Sequence, residues 1–183
     1  ISVPCCCGII LVADQIVEVL FGVEFLPAIS TIRILSILIV LMPLSGGVFC
    51  QLLLTAGKEK SYLACVLIGT VVNAVLNYLL IPTLTQNGAA IASVIAEFTV
   101  SISMIVATRR TIKVNMCCRD VFSILTSAFF MSLTLVLCHK LFSGQAVWMR
   151  LLVEIVIAIL VYFLCVFMLK NSAFSRIIRM IKK

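Results

Sequence analysis

Six apolar stretches separated by short polar breaks organise the chain, at about 1–21, 29–55, 62–82, 88–108, 121–142 and 147–169, followed by a basic tail at 170–183. Runs of this length predict membrane helices. Barrel strands are about 10 residues long and alternate apolar with polar positions, a pattern missing here. The clearest run, 62–81, has no charged residue and is long enough to cross ~30 Å of hydrocarbon. The charged turn GKEK at 57–60 precedes it. Pro82 predicts its end, and Asn87 with Gly88 predicts the turn into the next run.

Polar positions inside the apolar runs are the candidates for chemistry, because each is costly in hydrocarbon. Asp14 and Glu18 stand at i, i+4, so both carboxylates lie on one side of a helix. They are either solvated at an interface or line an ion or proton site. The second run is interrupted by PLSGG at 43–47, which predicts a kink or break. Such breaks accompany transporter binding sites and also plain packing kinks. Arg33, in the first turns of that run, either snorkels to the interface or faces an aqueous cavity. Thr70, Asn73 and Asn77 share one face of the third run, where amides tie helices together or face a polar lumen. Gly88, Ala92 and Ala96 form a small-residue seam for close helix approach. Glu97 follows in mid-span, the most deeply placed acid, and is expected to be paired, protonated or cavity-facing. The last two runs are plainer. Glu154 is the only acid inside the sixth, His139 reads as a surface residue in a loop, and Trp148 and Tyr162 read as interface residues.

Composition excludes several classes. With 63% hydrophobic residues, 11% charged residues and a mean hydropathy of +1.29, the chain cannot hide its apolar surface as a water-soluble domain. The predicted class is all-α integral membrane. The chain opens inside an apolar run at Ile1, without a Met start or cleavage pattern, which predicts a C-terminal fragment of a longer protein. The net charge of +7 matches membrane topology rather than nucleic-acid binding, since no soluble basic face exists. Nine cysteines form no CxxC or Cys/His spacing and read as small hydrophobes, so no metal site is expected.

Charge then sets topology. With six crossings, Lys58, Lys60, Arg109, Arg110, Lys113, Arg119, Lys170, Arg176, Arg179, Lys182 and Lys183 all fall on one side, which is predicted to be cytoplasmic. Only Lys140 and Arg150 fall opposite. In the tail, Phe174, Ile177, Ile178 and Ile181 form an apolar face that predicts an amphipathic cytoplasmic helix on an anionic leaflet.

The succession VLFGVEFLPA, IRILSILI, LLLTAGKEKSYL, IGTVVNAVLNYLLIP and NGAAIASVIAEF, over about residues 9–108, resembles the C-terminal half of Wzx-type polysaccharide (O-antigen and capsule) flippases. These belong to the multidrug/oligosaccharidyl-lipid/polysaccharide exporter superfamily. Residues 109–183 fit only as two further crossings and a basic tail. The resemblance implies most of the C-terminal lobe of a two-lobed, all-helical transporter working by alternating access in the bacterial inner membrane. It also implies an undecaprenyl-diphosphate-linked oligosaccharide as substrate, lipid and polysaccharide-assembly proteins as partners, a missing N-terminal lobe, and no enzyme activity or cofactor beyond H⁺ or Na⁺ coupling. On this reading Arg33, Asn73 and Asn77 bind substrate and Asp14, Glu18 and Glu97 carry the coupling ion. The rival readings are a multidrug exporter of the same superfamily, with an aromatic- and Met-lined cavity, and a membrane-embedded glycan polymerase or acyltransferase.

Overall fold

The computed structural model describes residues 1–109, 118–141, 144 and 146–168. The basic tail 170–183 and most of the loop carrying Arg110 and Lys113 lie outside the described residues. Of the described residues, 92% are helical and none is in a strand. Five helical stretches are long and apolar enough to cross a membrane: Ser2–Leu20, Ala28–Thr55, Glu59–Arg109, Phe122–Leu141 and Val147–Met168. In hydrocarbon every backbone donor and acceptor must be satisfied within the segment, which makes the helix the form these runs adopt. The chain is thus an all-helical protein whose long apolar helices are compatible with a multi-pass membrane protein.

The burial pattern is that of such a protein. Leu63, Leu67, Val71, Val75, Tyr78 and Leu79 are exposed along the first part of the third stretch, while Gln15, Ser45, Ser101, Thr108 and Glu154 are buried. Exposed apolar surface of this extent is at home only against lipid or another apolar surface.

The chain divides into two compact units. The first consists of α1 (Ser2–Leu20), a 3-10 turn (Val23–Phe25), α6 (Cys118–Leu141) and α7 (Val147–Met168). Its core packs Val12 of α1 with Met131 and Leu135 of α6 and Leu151, Ala158, Tyr162 and Val166 of α7. Leu151, Glu154, Ala158, Tyr162 and Val166 recur every three or four residues and form the buried stripe of α7. Tyr162 therefore lies in the core rather than at an interface, whereas Trp148 is exposed.

The second unit consists of α2 (Ala28–Leu35), α3 (Leu38–Met42), a π-helical turn (Pro43–Phe49), α4 (Cys50–Thr55) and α5 (Glu59–Arg109). The PLSGG sequence makes the π-helical turn, as its Pro and Gly pair predict. The GKEK turn is a Schellman cap on α4. Gly57, at φ +68°, takes the left-handed position, its N–H bonding Leu54 at 3.0 Å and that of Lys58 bonding Leu53 at 2.9 Å.

The 51-residue α5 is two helical arms joined across a kink at Thr85, whose φ is +50°. In a straight helix residues 69 and 96 would lie ~40 Å apart. Here a Cβ on Gly69 would sit 3.5 Å from the Ala96 carbonyl oxygen, so the second arm folds back along the first. The small-residue seam is what lets the arms meet. Ala92 and Ala96 are buried, and Gly88 rests directly on the Leu80 carbonyl, where no Cβ has room. The reversal differs in place from the sequence expectation: the helix runs through Pro82 to Thr85, and Asn87 and Gly88 already belong to the returning arm. Tertiary hydrogen bonds select that position. The Asn87 side-chain oxygen accepts from Ser30 (3.0 Å) and Thr31 (2.7 Å) of α2, and Gln86 Nε2 donates to the Pro27 carbonyl (3.2 Å).

Candidate functional site

The second unit contains a recess of about 420 Å³ between α3, the π-helical turn and both arms of α5. Its polar lining comes from Ser45, Tyr62, Thr70, Asn73, Ser93 and Glu97, and its apolar lining from Leu38, Met42, Val66, Val100 and Met104. Among the described residues the lining includes one carboxylate and no Lys, Arg or His.

The π-helical turn positions Ser45, and its Oγ donates to the Glu97 carboxylate across the recess. The same hydroxyl lies 3.1 Å from the Leu41 carbonyl, one turn back along the chain. Glu97, placed in mid-span by the sequence, is thus paired and faces the recess. Asn77 Nδ2 donates to Asn73 Oδ1 at 2.9 Å, one turn apart on the same arm. Asn73 lines the recess, and Asn77 stands behind it with its own side-chain oxygen buried and without a hydrogen-bond partner among the described residues. The two amides therefore bond each other rather than tying separate helices together.

The remaining candidates lie elsewhere. Arg33 is exposed on α2 and is not part of the recess lining. Asp14 and Glu18 belong to the first unit, where Asp14 has one buried carboxyl oxygen and Glu18 is exposed. The structure therefore brings together Asn73 and Glu97, keeps Asn77 adjacent, and does not gather Asp14, Glu18 and Glu97 in one unit.

Sequence reasoning missed a second polar cluster, inside the first unit. Gln15 of α1 and Glu154 of α7 are each 1% exposed, and Gln15 Nε2 donates to Glu154 Oε2 at 2.8 Å. The same amide nitrogen is 3.0 Å from His139 Nδ1. His139 Nδ1 and Arg150 Nε are 3.6 and 3.8 Å from Glu154 Oε1. His139 ends α6 rather than standing in a loop, and one ring nitrogen is turned inward. The signals were a Gln beside Asp14 in an apolar run and the register of Glu154 on the apolar stripe of α7.

No family model matches the chain, and no curated protein or solved structure matches it. The fold and the recess define an all-helical chain with several apolar helices of membrane-crossing length and a polar hollow among them.

Proposed function

We propose that the chain is part of a flippase that moves undecaprenyl-diphosphate-linked oligosaccharide units across the bacterial inner membrane, and that the described helices belong to six crossings of its C-terminal lobe. The reading rests on the ordered sequence stretches over residues 9–108. The observation that carries it is the recess: hydroxyls of Ser45, Thr70 and Ser93, the amide of Asn73 and the carboxylate of Glu97, held among helices of membrane-crossing length. A sugar headgroup crossing hydrocarbon needs such a set of donors and acceptors to replace water. The recess has no cation among the described residues, so the sugar enters it and the diphosphate contact falls to Arg33 outside, whose guanidinium matches phosphate geometry. The coupling ion, H⁺ or Na⁺, is assigned to Glu97.

One observation favours a second reading, the multidrug exporter. Met42, Met104 and Tyr62 beside a single carboxylate also suit an apolar organic cation. Binding to the protein in lipid nanodiscs separates the two. If the glycolipid is the substrate, undecaprenyl-diphosphate-linked oligosaccharide binds, Asn73→Leu weakens it about tenfold by stranding a sugar hydroxyl, and Glu97→Gln changes it less. If an organic cation is the substrate, tetraphenylphosphonium binds and Glu97→Gln abolishes that binding. Binding of neither ligand rejects both readings.

A further inference from the structure

The Gln15–His139–Glu154 cluster belongs to the first unit and is independent of the recess and of any substrate. A carboxylate oxygen 2.8 Å from a Gln15 side-chain atom requires a donor there, so the amide nitrogen, not the oxygen, faces Glu154. That nitrogen also lies 3.0 Å from His139 Nδ1, and a donor on one side requires a lone pair on the other. A ring that accepts at Nδ1 carries its hydrogen on Nε2. Glu154 Oε1 is buried, has no hydrogen-bond donor among the described residues, and stands 3.6 Å from the same Nδ1.

We propose that Gln15, His139 and Glu154 form a proton-binding site that exchanges one interhelical bond for another. A proton from water adds to the Nδ1 lone pair. No covalent bond breaks, and Nδ1 becomes a donor. It then opposes the Gln15 amide, which is also a donor, and the α1–α6 hydrogen bond is lost. Glu154 Oε1, which Arg150 Nε faces at 3.8 Å, accepts the new N–H, and a charged α6–α7 pair forms in its place. The proton reaches the ring from the exposed side of His139, whose side chain is 42% accessible. Imidazole is the side chain that makes this exchange between about pH 5 and 8.

The neighbouring groups leave room for it. On α7, Arg150 stands 3.8 Å from Glu154 Oε1 and shares the carboxylate with the imidazolium. On α6, Cys138 lies beside Glu154, and Lys140 is exposed. On α1, Asp14, the neighbour of Gln15 in sequence, keeps a buried carboxyl oxygen, while Glu18 is exposed. Protonation takes the His139, Glu154 and Arg150 set from neutral to a single positive charge.

The chain contains one histidine, so 15N-imidazole labelling of the whole protein in nanodiscs reports a single ring. At pH 8.5 the expected spectrum has an unprotonated Nδ1 coupled across a hydrogen bond to the Gln15 amide, and at pH 5 two protonated ring nitrogens with that coupling gone. Two variants move the balance in opposite directions. At a fixed intermediate pH, Glu154→Gln lowers the ratio of doubly to singly protonated ring about tenfold or more, since a carboxylate at this distance favours the cation. Gln15→Leu raises the ratio, because the donor holding the neutral ring is gone. A hydrogen on Nδ1 at pH 8.5, or a ratio unmoved by Gln15→Leu, overturns the proposal. If Glu154→Gln does not fold, the wild-type spectra and Gln15→Leu decide it.

Discussion

Ser45 and Glu97, 52 residues apart in the chain, are joined by a hydrogen bond that closes the π-helical turn onto the returning arm of α5. The bond gives the turn a purpose. Ser45 sits within the π-helical turn Pro43–Phe49 and presents its hydroxyl to the carboxylate.

That pairing predicts measurable coupling. In a double-mutant cycle of Ser45→Ala and Glu97→Met, which removes the acceptor as well as the charge, followed by reversible unfolding in detergent, the interaction energy is expected at about 0.6–1.7 kcal/mol, the range for interhelical hydrogen bonds in membranes. Strict additivity of the two substitutions means the groups do not meet.

The α5 hairpin depends on closeness at Gly88. Gly88→Ala drives a methyl into the Leu80 backbone carbonyl, which cannot turn aside as a side chain can, and is expected to cost about 1–3 kcal/mol. Gly46→Ala is the contrast. Among the described residues nothing lies within 4 Å of its Cβ position, and alanine is favoured over glycine in a helix by roughly 0.5–1 kcal/mol. Thermal unfolding in one detergent should lower the midpoint for the first variant only. Equal midpoints for both would mean that the arms do not touch there.

These two features show what the sequence made legible. Apolar run length was enough for an all-helical chain, and PLSGG was enough for a disturbed turn, because both depend on local chemistry. Glu97 stood out as a charge in mid-span. The reversal was placed at Asn87–Gly88 instead of Thr85 because Ser30, Thr31 and Pro27, far away in sequence, hold the tip. His139 and Glu154 were read separately for the same reason. Besides facing each other at 3.6 Å, they share Gln15, which is 124 residues from one and 139 from the other, and no local pattern carries that pairing.

The hairpin also makes a topological prediction. Lys60 lies at the open end of α5 and Gln86 at its tip. With the native cysteines replaced, Lys60→Cys and Gln86→Cys should react with a membrane-impermeant maleimide from opposite faces of the membrane, Lys60→Cys from the cytoplasmic face. Labelling of both from one face would contradict two crossings in α5.

The flippase reading is tested most directly by the leaflet in which the lipid-linked oligosaccharide resides when the protein is removed from its own host. Inverted and right-side-out membrane vesicles from the depleted cells can be probed with a membrane-impermeant lectin. The account predicts that undecaprenyl-diphosphate-linked oligosaccharide accumulates with its sugar facing the cytoplasm and that surface glycan is lost. Normal surface glycan, with the lipid-linked sugar still facing outward after depletion, would contradict it.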